Sequence, residues 1–260
     1  MKKVLSMVSM TILLVGLLAA CGTGDKNQSN GAKDNHSKVL TMGTSADYAP
    51  FEYVDTEKSD EIIGFDVDIA KAIGKKLGYT IQVKDMDFSG LIPALQASQV
   101  DFVLAGMTPT EERKKNVDFS DLYYQAKNLI VTKKDSKVKT VEDLKGKTVG
   151  VQLASIQEGV AKDLKKDINL KVENRNRIPE LIQEIKSGRF DAIIIEDTVA
   201  KEYFKKNPDL AGFTLKGSEE AGNAIAFPKN SKLTKDFNQA LNEMKENGEI
   251  DKLIVKWFNK

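Results

Sequence analysis

Cysteine, histidine and tryptophan each occur once in 260 residues, and proline only six times. A single cysteine, Cys21, excludes an internal disulfide and leaves a lone thiol near the amino terminus that needs a role of its own. The single histidine, His36, stands in a polar stretch ahead of the first strand-like segment. Histidine-based catalysis and histidine-built metal sites therefore drop out for the folded part, and no metal or cofactor is expected. An excess of one charge is lacking too: 39 Lys plus Arg face 38 Asp plus Glu, and without Lys2 and Lys3 the balance is 37 to 38. Such a chain has no basic stripe and no field for nucleic acid. No solenoid period, low-complexity tract or heptad array appears. What is present is 41% hydrophobic residues, enough to bury the core of one large domain or two small ones.

The first residues are organised differently from the rest. Met1-Lys2-Lys3 is a basic start, residues 4–20 are apolar apart from Ser6, Ser9 and Thr11, and Leu18-Ala19-Ala20 ends on small side chains before Cys21. Residues 1–20 thus read as an export signal, although the apolar run is nearly long enough to span a membrane. Leu18-Ala19-Ala20-Cys21 resembles the lipobox of bacterial lipoproteins. That implies cleavage before Cys21, a diacylglycerol on its sulfur, and a lipid anchor on the outer face of a cell membrane, expected in a Gram-positive bacterium. Residues 21–38 are polar and lack large apolar side chains, so a flexible tether is expected there.

Beyond the tether, strand and helix patterns alternate. Residues 39–43 read as a strand, and 44–51 as a loop in which Tyr48 precedes a turn stiffened by Pro50. Ile69, Ala70, Ile73 and Leu77 recur at helical spacing between Gly64 and a stop at Gly78. A strand over 80–83 and a short helix over 89–97 follow. A second unit places strands at 129–132, 148–151, 170–172 and 192–195, with helices at 141–145, from Ser155, and at 179–187. A strand over 224–227 and two amphipathic helices, carrying Leu233, Phe237, Leu241 and Met244 and then Ile250, Leu253, Ile254 and Trp257, close the chain. This α/β order predicts parallel strands with helices on both faces and ligands at the carboxyl ends of the strands.

One stretch concentrates the chemistry. After a buried-type run at 102–104 come Ala105 and Gly106, then crowded helix-start signals: Thr108 as cap, Pro109 at the first position, and Glu111 completing a Thr-x-x-Glu box. A helix start offers free N–H groups and partial positive charge to an anion, and Arg113 adds a bidentate fork suited to a carboxylate. Arg113 equally fits a solvated face, since Glu111, Glu112, Lys114 and Lys115 surround it. At the end of strand 192–195 stand two acids, Glu196 and Asp197; alternation sends their side chains to opposite faces.

Six ordered motifs now carry a resemblance. Gly43-Thr44 with Tyr48-Ala49-Pro50-Phe51-Glu52 comes first, then Gly64-Phe65-Asp66-Val67-Asp68, then Met86-Asp87-Phe88-Ser89-Gly90. They are followed by Met107-Thr108-x-Thr110-x-Glu112-Arg113, Asp118-Phe119-Ser120 and Lys256-Trp257-Phe258. From about Val39 the chain resembles the polar amino-acid binding proteins of bacterial ABC importers, which have the two-lobed, type II periplasmic-binding-protein fold joined by a two-strand hinge. The resemblance implies a first lobe of residues 39–127 plus 222–260 and a second of 128–221. It implies a monomeric receptor without enzyme activity that closes its lobes on an amino acid and delivers it to a membrane permease. It further implies that Arg113 holds the ligand carboxylate with Thr108 and the backbone at Ala105-Gly106. Asp197 would accept from the ammonium, and Ser155 and Ile156 would add donors from the helix start. Tyr48 and Phe88 would enclose the ligand side chain.

Other readings of these residues stand beside that one. Asp197 and Ser155 suit helix caps, and Tyr48 and Phe88 suit core positions. The chain departs from the family's usual pattern at Ser45, where an aspartate is common, and at Ala154-Ser155-Ile156, where glycine and threonine are. An aromatic enclosure with Glu196 and Asp47 nearby favours a basic, arginine-like ligand; Gln152 and Ser45 would serve glutamine. The rival of another class is a dehydratase on the same fold acting on a small carboxylate, with Glu196 as its acid or base.

Overall fold

The computed structural model describes residues 38–56, 59–215 and 221–259, so the expected signal sequence, Cys21 and all of the tether before Lys38 lie outside the described residues. In chain order its elements begin with β1 (Lys38–Thr44), β2 (Asp47–Tyr48), β3 (Glu52–Val54), β4 (Ile62–Ile63), α1 (Phe65–Leu77), β5 (Tyr79–Asp85) and α2 (Leu91–Gln96). Next come β6 (Phe102–Val103), α3 (Glu111–Lys114), β7 (Val117–Ala126), β8 (Asn128–Lys133), β9 (Thr148–Gln152), α4 (Ile156–Asp167) and β10 (Lys171–Arg175). The chain ends with α5 (Ile178–Lys186), β11 (Ala192–Glu196), α6 (Asp197–Lys206), β12 (Leu210–Thr214), β13 (Ala221–Pro228), α7 (Leu233–Glu246) and α8 (Glu249–Phe258).

Two five-stranded sheets carry these elements, ordered β5-β1-β6-β13-β7 and β10-β9-β11-β8-β12, and β2-β3-β4 form a small third. Within the large sheets β5, β1 and β6 run parallel, as do β10, β9 and β11. The exceptions are the strands next to the passages between sheets: β13 is antiparallel to β6 and β7, and β8 is antiparallel to β11 and β12. A strand that arrives from the other half of the molecule enters its sheet from the opposite end, so it cannot continue the parallel set.

Burial follows the sequence pattern closely. Ile193, Ile194 and Ile195 of β11 are all at 1% exposure or less, which a strand covered by helices on both faces requires. Each such side chain contributes roughly 1.5–3 kcal/mol relative to exposure. In α1, Asp66 and Asp68 occupy the first turn and Lys75 and Lys76 the last, matching the helix dipole, and Gly78 ends it in the left-handed conformation. The carboxyl end of the chain is pinned to α1: Lys256 Nζ and Trp257 Nε1 donate to Asp68 Oδ2 at 2.6 and 2.8 Å. Phe258 stacks on Tyr124 with centroids 4.6 Å apart. Two motifs nearly two hundred residues apart thus fasten the last helix to the first half.

Strands β7 and β12 carry no alternation that announces them. In β7 the buried residues are Val117, Ser120, Tyr123 and Ala126, a three-residue step. Register shifts against β13 break the two-residue rhythm there, as bulges do.

Candidate ligand-binding site

A narrow crevice lies between the two large sheets, reached by loops from the carboxyl ends of β1, β6 and β9 and by the end of β11. The first half contributes Ser45, Tyr48, Phe88, Ala105, Gly106, Thr108 and Arg113; the second contributes Gln152, Ser155, Ile156 and Glu196. Glu52 and Gln157 also line it, and sequence reasoning passed over both. Asp47 and Asp197 are not among its walls. Glu52 was legible in retrospect: β2 and β3 form a hairpin in which Tyr48 faces Glu52.

Arg113 is held differently from the expectation. Helix α3 has only four residues, and its cap is Thr110, whose hydroxyl accepts from the Arg113 N–H at 3.2 Å. Thr108 instead offers its carbonyl to the guanidinium at 2.8 Å, and the other terminal nitrogen donates across the crevice to the Ala154 carbonyl at 2.8 Å. The Phe88 ring lies 5.3 Å from the guanidinium carbon. Neither nitrogen spends its bond on a carboxylate. Burial lowers the pKa of Arg113 to about 10, so it stays charged at neutral pH while keeping 9% of its surface exposed. A cation buried among neutral groups is costly until an anion joins it.

The anion seat beside it belongs to α4, a helix of twelve residues. The Ser155 hydroxyl accepts from the Glu158 N–H at 3.2 Å and donates to the Gln152 carbonyl at 2.7 Å, while the Ser155 N–H bonds the same carbonyl. The N–H groups of Ile156 and Gln157, first in the helix, have no partner within it. They carry the positive end of its dipole toward the guanidinium side of the crevice.

Acid stands on the other side. Glu196 is 1% exposed and its Oε2 has no hydrogen-bond partner. Burial pushes its pKa up to about 8, against the opposing pull of the Asn223 amide and the Tyr48 hydroxyl. Glu52 and Asp66 form a second buried acidic pair. Asp66 Oδ2 accepts from the Gly106 N–H at 2.9 Å and the Tyr123 hydroxyl at 2.7 Å. Burial raises Asp66 to about 6, and burial followed by the Asp66 charge raises Glu52 well above the carboxylate range. Because Asp66 takes the Gly106 N–H, only the Gly106 carbonyl is left for a ligand.

Asp197, expected to meet the ligand ammonium, is not among the crevice walls and bonds the backbone of Lys127 here. Its N–H donates to the Lys127 carbonyl at 2.8 Å and its Oδ1 accepts from the Lys127 N–H at 3.1 Å, bracing the passage between β7 and β8. β11 ends at Glu196, which lines the crevice, and Asp197 is the first residue of α6. Asp47 is likewise occupied elsewhere, accepting from the Ser45 hydroxyl at 2.8 Å and the Ile178 N–H at 2.6 Å.

The profile of bacterial extracellular solute-binding proteins, family 3, matches residues 40–260. The chain belongs to that family. Among relatives of this solute-binding protein, the arginine-binding extracellular protein ArtP of Bacillus subtilis (strain 168) is 59% identical over 243 residues, covering 93% of this chain and 92% of its own. The substrate-binding protein of an amino acid ABC transporter superposes with a TM-score of 0.82 at 49% identity, over 85% of this chain and all of that one. An ancestral arginine-binding protein has been solved bound to arginine (TM-score 0.80, 47% identity, 86% of this chain and 100% of its own) and bound to glutamine (0.79, 46%, 85% and 98%). The two-lobed type II architecture is shared with these structures, and each large sheet of this solute-binding protein forms the centre of one lobe. Family membership makes it a binding protein rather than an enzyme, and no group of three metal-ligating side chains occurs among the described residues.

Proposed function

We propose that this solute-binding protein captures an L-amino acid, basic and arginine-like, by closing its lobes, and serves an ABC importer of the membrane. The observation that carries the reading is the crevice's polarity: the buried guanidinium of Arg113 and the start of α4 on one side, the buried carboxyl of Glu196 on the other. A zwitterion has the complementary polarity, and fixed dipoles replace the water it sheds. The ligand carboxylate goes to Arg113 with the N–H groups of Ile156 and Gln157. The ammonium goes to Glu196 and the Gly106 carbonyl, and the side chain runs past Tyr48 and Phe88. Arginine is favoured by relatives that bind it and by an acidic wall that includes Glu52.

Glutamine is the second ligand, supported by Gln152 and Gln157 in the wall and by a relative solved with it. The lobes take residues 39–127 plus 222–260 and 128–221. The protein acts as a monomer tethered to the outer face of the membrane by a lipid on Cys21. Calorimetric titration with the twenty common amino acids tests the ligand: saturable binding of arginine stronger than of glutamine is expected, and no binding of any of them sinks the reading. Palmitate labelling that survives Cys21→Ala would remove the anchor.

A further inference from the structure

Outside the crevice, one residue of the second lobe is gripped by three acids of the first. Arg177, in the turn between β10 and α5, donates from Nε to Asp87 Oδ1 at 2.7 Å and from its two terminal nitrogens to Asp85 at 2.9 and 3.1 Å, and it lies 3.5 Å from Asp47. Its neighbours join in. Asn176 donates to Asp87 at 3.0 Å, and the Ile178 N–H, at the start of α5, donates to Asp47 at 2.6 Å. From α6 the Tyr203 hydroxyl donates to the Asp47 carbonyl at 3.2 Å. Three consecutive residues of one lobe therefore meet three acids of the other. None of the six lines the crevice. A second tie to the crevice runs through Ser45, a wall residue whose hydroxyl donates to Asp47.

We infer that Arg177 is a clasp: it holds the lobes together without touching the ligand, and so sets how tightly the closed protein retains it. The guanidinium is built for the task, since its planar fork grips Asp85 with two nitrogens while its third reaches Asp87. Arg177 is 24% exposed while Asp85 and Asp87 are 42% and 43% exposed, so the strength of the clasp lies in several charge-assisted bonds held on one guanidinium rather than in deep burial. Apparent affinity scales with the fraction of protein in the binding-competent form. Contacts between the lobes that exist only when they are closed thus add to ligand retention. This rests on the amino-acid reading for its binding measurements, but not for its measurement on the free protein.

The test compares the full chain with Arg177→Ala and with the pair Asp85→Asn, Asp87→Asn, which opens the clasp from the other lobe. By stopped-flow with arginine, both variants are expected to bind about tenfold more weakly, with the change in dissociation rate and association within twofold. Without ligand, small-angle scattering at low salt is expected to give a larger radius of gyration for the variants than for the parent, the difference vanishing at high salt. Arg177→Lys should recover part of the loss. Affinity unchanged within twofold, a loss carried by the association rate, or identical scattering of parent and variants at low salt each overturns the inference. If no amino acid binds, the ligand reading fails while scattering still decides the clasp.

Discussion

Arg113 and Glu196 are buried ionisable side chains on opposite sides of the crevice. Arg113 rests on two carbonyls and a phenyl ring, so it is solvated by the fold yet unneutralised by it. Arg113→Ala should weaken ligand binding by about thirtyfold or more, with the far-ultraviolet dichroism and melting temperature of the free protein close to the parent's, because truncating a buried partner of a charged group costs about 2–5 kcal/mol. A loss of melting temperature in step with affinity would assign Arg113 to folding instead. Glu196 makes a prediction in pH. Its carboxyl titrates near about 4.3 in an unfolded chain, and burial holds it to about 8 in the folded one. Between those values the folded state binds more protons than the unfolded, so the stability of the free protein falls as pH rises through that window. Asp66, raised to about 6, acts in the same direction over the lower part. Calorimetric melting of the free protein should therefore show a lower midpoint near pH 8 than near pH 5, and Glu196→Gln should flatten the upper part of the decline. Ligand binding near neutral pH should release a proton, read as a dependence of binding heat on buffer ionisation enthalpy; its absence would contradict an ammonium on Glu196.

Among the elements, the starts of α1 and α4 do the positioning. Gly64 precedes α1 with φ 142°, and a Cβ there would stand 2.0 Å from the Phe51 carbonyl oxygen. That carbonyl accepts from the Asp66 N–H, so the glycine lets α1 begin where Asp66 can reach Gly106 and Tyr123. Gly64→Ala should destabilise by more than about 3 kcal/mol, seen in urea unfolding, since backbone must move rather than a side-chain tip. Element boundaries explain what sequence signals could and could not place. The Thr-x-x-Glu box at Thr108 points to a helix start there, but Thr110 is the cap, and α3, at four residues, is too short to act as a dipole. Helix α4 was announced by Ser155 and then extended for twelve residues, so its dipole, and not that of α3, faces the guanidinium. The adjacent Ala154, at φ 62°, adopts a left-handed conformation that glycine takes more readily, and turns its carbonyl to Arg113.

The whole molecule works as two lobes that the chain enters, leaves and re-enters, and every wall of the crevice but one lobe's share is lost when they part. A ligand touching both lobes stabilises the closed form in proportion to its contacts there. Ligand at a hundredfold excess over Kd should add about 2.7 kcal/mol to unfolding, measured as a rise in melting temperature that grows logarithmically with concentration. A midpoint independent of arginine and of glutamine alike would leave closure without a driving ligand.

By itself the sequence determined the two βα units, the buried strands and the terminal helices, because each depends on neighbours within a few turns of chain. It also placed most of the crevice, since loops after parallel strands gather at one end of a sheet whatever their details. Tertiary structure alone decided which of two adjacent acids faces inward and whether Asp47 meets a ligand or another lobe. Those choices are made by contacts between residues 57 to 131 positions apart, such as Asp66 with Tyr123 and Asp47 with Ile178, and no local period encodes them.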